Sequence, residues 1–82
     1  MPTVLRVGPY RFYFYSHDLS QEPPHVHIEH DELSAKFWLN PVALALNLGF
    51  SASELRKIER LVVAHQPELL ERWNIEYGRT PR

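Results

Sequence analysis

The sequence contains no cysteine. The chain can therefore form neither a disulfide framework nor a thiolate zinc site, which argues against the class of small secreted disulfide proteins. It also has no stretch approaching the roughly 20 apolar residues that a membrane-spanning helix needs. The segment Met1–Arg6 lacks the basic patch and the long apolar run of a signal peptide. We therefore expect a cytoplasmic protein with no membrane contact.

An excess of charge of one sign is missing as well. Nine Lys and Arg residues against ten Asp and Glu residues leave a formal net charge of −1. The chain as a whole lacks the excess of positive charge that is typical of nucleic-acid-binding proteins. Any binding of nucleic acid must therefore come from a local basic patch. The chain does contain 44% hydrophobic and 12% aromatic residues, which argues against disorder. We expect a single domain over 1–82, with a loose tail over 79–82.

The first half of the chain predicts β-strands. Segments rich in β-branched or aromatic residues, or alternating between polar and apolar side chains, occupy 3–7, 10–16, 25–30 and 34–39. Gly8-Pro9 and Asp31-Glu32 are turn signals between them. Segment 42–48 contains good helix formers, but its bulky residues alternate strictly, which favours a fifth strand over a short helix.

Residues 51–77 predict an amphipathic helical element. Ser51 with Glu54 fits a capping box at its start. Pro67 removes a backbone hydrogen bond and crowds the preceding turn, so we expect a kink or two abutting helices there. Apolar side chains follow helical spacing at Leu55, Ile58, Val62, Leu69, Trp73 and Tyr77. The predicted fold is α+β, an antiparallel sheet of four or five strands with this C-terminal element packed on one face.

Alternation along the strands sorts side chains onto two faces of the sheet. The face expected to meet the helix carries Leu5, Val7, Phe12, Phe14, Val26, Ile28, Phe37, Leu39, Leu44 and Leu46. The other, helix-free face carries Arg6, Arg11, Tyr13, Tyr15, His25, His27, Glu29, Lys36 and Trp38.

Interleaved basic and aromatic side chains on a sheet are typical of proteins that bind single-stranded RNA. The candidate RNA-binding residues are therefore Arg6, Arg11, Tyr13 and Trp38. A solvated polar face without a function, or a face covered by a protein partner, is the alternative interpretation.

His25 and His27 lie on one side of a strand, with successive Cβ atoms about 6–7 Å apart. Two histidines can act as general base and general acid in cleaving an RNA phosphodiester, with Lys36 stabilising negative charge and Tyr15 orienting the site. These four are the candidate catalytic residues of a metal-independent endoribonuclease, which needs no cofactor. Alternatively, His25 and His27 form a three-ligand metal site with Glu29, or they have no catalytic role. Whether the chain is an enzyme stays open.

Several segments together resemble a known family. They are Gly8–Ser16, Glu22–Ile28, Ala35–Leu39 and Leu69–Trp73. With them the chain resembles the bacterial domain-of-unknown-function 4160 family over nearly its whole length. Its signature corresponds to Pro23, Pro24, His25 and His27.

The resemblance implies a small bacterial protein encoded beside another small protein, the two suspected of forming a toxin–antitoxin module. The leading hypothesis is a toxin-like or regulatory component that acts on RNA or translation through the His25/His27 face. Its expected partner is the antitoxin encoded by the neighbouring gene. The rival hypothesis is a non-catalytic protein-interaction domain that uses the same face.

Overall fold

The computed structural model describes residues 3–15 and 22–78. Five strands come first: β1 (Thr3–Val7), β2 (Tyr10–Tyr13), β3 (His25–His30), β4 (Leu33–Leu39) and β5 (Val42–Leu48). They are followed by α1 (Ala52–Ala64), α2 (Gln66–Trp73) and a closing π-helical turn (Asn74–Gly78). The predicted tail over 79–82 lies outside the described residues. None of the described helices is long and apolar enough to cross a membrane.

The strands form one antiparallel sheet in the order β1-β2-β3-β4-β5. Two tight hairpins have a residue with positive φ in the turn, Gly8 at 58° and Asp31 at 57°. Glycine enters this region freely, and aspartate is one of the few other residues that tolerates it. The predicted α+β fold is confirmed, and segment 42–48 is a strand.

The helical element divides at the predicted place. The hydroxyl of Ser51 accepts a hydrogen bond of 3.2 Å from the backbone N–H of Glu54 and caps α1. α1 ends at Ala64, and Pro67 lies in the first turn of α2, where its missing N–H removes no helical hydrogen bond. The predicted split near Pro67 is therefore confirmed.

The helices cover one face of the sheet. The sheet side of the core includes Phe12, Val26, Ile28, Phe37 and Leu39, with Phe14 just after β2, and the helices supply Ile58, Val62, Leu69 and Trp73. These residues belong to the apolar faces that the sequence predicted, because the strands and the helical element each have one apolar side to bury.

The prediction that Leu44 and Leu46 face the helices is wrong for Leu46, and Leu44 stays exposed although it shares the side of Phe37. Their side chains are 46% and 50% exposed, and Leu48 is 56% exposed. Lys36 pairs with Leu46 whereas Phe37 pairs with Leu44, so β5 contains one extra residue between these pairs. Such a bulge changes the face on which the following side chains lie. Leu46 consequently shares the side of Lys36, opposite the helices.

Candidate functional site

The strand register brings most of the predicted polar and aromatic residues together on one side of the sheet. Cross-strand partners project to the same side. The pairings form three rows, Arg6–Arg11–Glu29, Tyr13–His27–Lys36 and His25–Trp38. Tyr15 lies beyond the end of β2, and its ring centroid is 4.5 Å from that of His27. We call these nine residues the histidine face.

His27 lies at the centre of an aromatic cluster. Its ring stacks on Tyr13 at a centroid distance of 5.3 Å and an interplanar angle of 22°. Tyr15 and His25 approach it with their rings steeply tilted, the latter at 5.2 Å. Aromatic pairs at these distances contribute about 0.5–1.5 kcal/mol each beyond the area that they bury. The cluster is thus a rigid surface in which the imidazole of His27 stays half-buried.

His25 is not on a helix-free surface, which corrects the prediction for this residue. Its side chain is 0% exposed. The ring lies 5.0 Å from the indole of Trp73, the last residue of α2, and 5.8 Å from that of Trp38. Because His25 is the first residue of β3, the helical layer reaches it past the end of the strand.

The chain around Pro23 orients the buried imidazole of His25. Its Nδ1 lies 2.9 Å from the carbonyl oxygen of Pro23. A carbonyl only accepts hydrogen bonds, so Nδ1 carries a proton and donates it here. Oε1 of Glu22 lies 3.6 Å from the same nitrogen. The segment that directly precedes β3 thus holds the ring in place through these two contacts.

The two central cations of the histidine face are paired with carboxylates. Nζ of Lys36 lies 2.6 Å from Oε1 of Glu22 and 4.8 Å from the centroid of the Trp38 ring. Nε of Arg11 lies 3.0 Å from Oε2 of Glu29. The hydrogen bond to Glu29 raises the pKa of Arg11 further, which keeps this guanidinium charged. The centre of the face is close to electrically neutral.

Arg6 differs from these two cations. It pairs in the sheet with Arg11 but lies on the edge strand β1, where its side chain is exposed. Within the described residues, no hydrogen bond or ion pair involves its guanidinium.

The arrangement does not assemble the alternative metal site. Glu29 shares a side of β3 with His25 and His27, but its carboxylate is bound to Arg11. Over 3–15 and 22–78, no group of three or more His, Asp or Glu side chains is placed to hold a metal ion. The metal alternative therefore has no ligand cluster in the described part of the chain.

Tyr13 connects the cationic and aromatic parts of the face. Burial, and next its hydrogen bond with Tyr15, raise the pKa of Tyr13 to about 12. The guanidinium of Arg11 lies over the ring, with Cζ 4.3 Å from the centroid. Tyr13 therefore remains neutral at any physiological pH and acts as a packing element.

Sequence reasoning missed two residues that shape this site. Glu22 pairs with Lys36 and approaches His25, although it precedes the strand. Trp73 was expected only as core and also covers His25. The signal for Glu22 was its position just before Pro23-Pro24. Nothing in the helical spacing indicated that Trp73 reaches the end of β3.

A second polar cluster lies on the helix side of the sheet. The hydroxyl of Tyr10 donates a hydrogen bond of 2.7 Å to Oε2 of Glu54. Nδ1 of His30 lies 3.6 Å from the same oxygen, and its Nε2 lies 3.5 Å from Oδ2 of Asp31. Burial, reinforced by the bond to Glu54, raises the pKa of Tyr10 to about 12. This cluster ties the first turn of α1 to β2 and β3.

Comparison with known proteins identifies a family. No curated protein matches the chain, and no solved structure matches it. One family model, described as a domain of unknown function (DUF4160), matches residues 10–74. The match spans β2 to the end of α2 and so includes the Pro-Pro-His segment, the central strands and Trp73. The chain belongs to the DUF4160 family.

Proposed function

We propose that this chain is a non-catalytic protein-interaction component of a bacterial two-protein module of the toxin–antitoxin type. It contacts its partner through the histidine face. The observation that carries this proposal is the complete burial of His25 beneath Trp73. The expected partner is the small protein of the neighbouring gene, and the expected compartment is the cytoplasm.

The burial of His25 argues against the two-histidine mechanism. A general acid or base must come within about 2.6–3.2 Å of the proton that it transfers. The imidazole of His25 is enclosed by Trp73, Trp38 and His27. Of the two histidines only His27 is partly exposed, and one imidazole cannot act as general base and general acid in the same step. The pair is better explained as one structural and one surface residue.

The charge pattern supports a protein partner over nucleic acid. Lys36 and Arg11 are already neutralised by Glu22 and Glu29, whereas phosphate binding relies on cations that replace counterions. Aromatic and arginine side chains are enriched at protein interfaces, where rigid rings provide contact area with little loss of entropy. Tyr15 is 36% exposed and presents such a ring.

The test is binding of the purified chain to the protein encoded by the neighbouring gene, measured by isothermal titration calorimetry. We expect Tyr15→Ala and His27→Ala each to weaken binding about tenfold or more, as truncation of a central interface residue does. Lys57→Ala is the matched control, because Lys57 is exposed on α1 on the other side of the sheet. Unchanged affinity in both histidine-face variants would contradict the proposal.

A second candidate, a toxin-like component that acts on RNA, is favoured by one observation. Arg6 is exposed on the same side of the sheet as the exposed ring of Tyr15, which contacts His27. A cation and an exposed aromatic ring on one face are the kinds of side chain that bind single-stranded RNA.

Two measurements separate this candidate from the first. Growth inhibition when the chain is expressed alone, abolished by His27→Ala, would support action on RNA and contradict the interaction domain. The double variant Glu22→Gln, Glu29→Gln removes the carboxylates that neutralise Lys36 and Arg11. It should strengthen binding of a fluorescent single-stranded RNA if phosphate contacts matter. Arg6→Ala should then weaken that binding.

A further inference from the structure

The histidine face continues onto β5. Lys36 pairs with Leu46 and Ser34 pairs with Leu48, so the two leucines extend rows of this face by one strand. Their side chains are 50% and 56% exposed. They lie two residues apart on the same side of β5, which places their Cβ atoms about 6–7 Å apart. We call these two residues the leucine end of the histidine face.

The opposite end of the face has a different chemistry. Through the successive strand pairs, Arg6 on β1 and Leu48 on β5 terminate one row. Arg6 is an exposed cation, and the described residues provide no carboxylate partner for it. Four strand spacings separate the two ends, a distance of roughly 19 Å. Between them, Lys36 and Arg11 are paired with carboxylates. The face therefore changes from cationic at β1, through a neutral aromatic centre, to apolar at β5.

We propose that the protein partner covers the leucine end together with the histidine face, a conclusion that rests on the function proposed above. The surface of this partner presents apolar side chains at β5 and an acidic group at β1. Contact with the leucines removes apolar surface from water, which gives the association a driving force that the charge-paired centre does not supply. The acidic group pairs with Arg6 and fixes the orientation of the partner.

The uneven distribution of charge favours a protein over the other possible occupants. A nucleic-acid strand carries a phosphate at every nucleotide and matches cations along its whole length, whereas this face has its free cation at one end. A second copy stacked face to face, about a two-fold axis along the rows or along the strands, places Arg6 against either Arg6 or the leucine end. Neither contact is complementary, as an isologous interface requires.

The bulge in β5 supplies a matched control for the leucine end. Leu44 pairs with Phe37 and so lies on the other side of the sheet from Leu46, although it is on the same strand and is 46% exposed. In isothermal titration calorimetry with the neighbouring gene's protein, Leu46→Ala and Leu48→Ala should each weaken binding about fivefold or more. Leu44→Ala removes the same atoms from the same strand and should leave the affinity unchanged.

The dependence of affinity on salt separates the two ends of the face. Arg6→Ala should weaken binding at low salt and reduce the effect of added salt, because an ion pair between exposed groups is screened by ions. Leu46→Ala should weaken binding by the same factor at every salt concentration, since burial of apolar surface involves no charge. Arg56→Ala is the control for Arg6→Ala, because Arg56 is an exposed arginine on α1, outside the histidine face.

The failure of this inference can be distinguished from failure of the proposed function. Weaker binding by Tyr15→Ala and His27→Ala, with full affinity in Leu46→Ala and Leu48→Ala, would overturn the inference and leave the proposed function standing. Full affinity in all four variants, or no binding by the wild-type chain, would overturn both.

Three further results would assign the leucine end to another kind of contact. Equal losses of affinity in Leu44→Ala and Leu46→Ala would show that the partner binds the strand edge. Self-association of the chain in sedimentation velocity, abolished by Leu46→Ala, would assign the leucines to a second copy. Binding of a fluorescent single-stranded RNA that both Arg6→Ala and Leu46→Ala weaken would assign them to nucleic acid. Each of these results overturns the inference.

Discussion

The indole ring of Trp73 lies 5.0 Å from the imidazole ring of His25, although strand alternation assigns His25 to the side of the sheet opposite the helices. The same indole contacts Phe14 of the core edge-to-face at 5.4 Å. Trp73 therefore joins the apolar core to the histidine face at the start of β3. This contact makes one histidine of the pair structural and leaves the other at the surface.

Removing each histidine in turn should separate these roles. We expect His25→Ala to lower the free energy of unfolding by about 2–4 kcal/mol, because it leaves a cavity under Trp73 and removes the hydrogen bond to Pro23. His27→Ala should lower it by less than about 1.5 kcal/mol, since this ring is only half-buried. Urea denaturation measures both. Equal losses would show that His25 is not enclosed as described.

The Tyr10–Glu54 hydrogen bond should stabilise the attachment of α1 to the sheet. We expect Tyr10→Phe to lower the free energy of unfolding by about 1.5–3 kcal/mol, the range for a hydrogen bond to a charged group. A double-mutant cycle with Glu54→Gln should give a coupling energy above about 0.5 kcal/mol. Glu59→Gln, exposed on the same helix, is the control and should be additive with Tyr10→Phe.

Two tyrosines should make the stability of the fold fall at high pH. Burial raises the pKa of Tyr10 and of Tyr13 to about 12, from 10 in the unfolded chain. Below pH 10 both tyrosines are protonated in the folded and in the unfolded chain, so their contribution to the free energy of unfolding is complete there. Between pH 10 and 12 the unfolded tyrosines ionise first, and the free energy of unfolding decreases. Absorbance at 295 nm should show that Tyr10 and Tyr13 titrate late. Titration of both near pH 10 would contradict their burial.

The Lys36–Glu22 pair should matter little for stability. Its side chains are 16% and 40% exposed, so Glu22→Gln should lower the free energy of unfolding by less than about 1 kcal/mol. Any effect should diminish as salt is added, because ions screen partly exposed pairs. Glu32→Gln, exposed in the β3–β4 turn, is the matched control for the loss of one negative charge. A larger, salt-independent loss would indicate that Glu22 also holds His25.

Local patterns were sufficient to predict most of the fold. The positive-φ turns at Gly8 and Asp31, the cap at Ser51 and the break at Pro67 each depend on a few neighbouring residues. The strand alternation placed Phe12, Val26 and Phe37 in the core. It also brought the rows of the histidine face together, because antiparallel hairpins with short turns leave one register that buries the apolar side.

Local patterns were insufficient to predict on which face of the sheet a side chain lies when its strand contains an extra residue. The bulge in β5 depends on how Lys36 and Phe37 pair across strands. No preference of the segment itself indicates the extra residue, and so Leu46 was assigned to the wrong face. Every side chain after a bulge changes sides.

The sequence by itself determined the five strands, the divided helix and the residue types available on each face, because these follow from backbone preferences and the period of the apolar residues. Only the tertiary structure decided what those residues can do. It buried His25 under Trp73, brought Glu22 to Lys36 and left Leu46 exposed. Each of these outcomes depends on how segments that are distant in the sequence pack or pair with one another. The spacing and alternation of residues within one segment do not determine that packing.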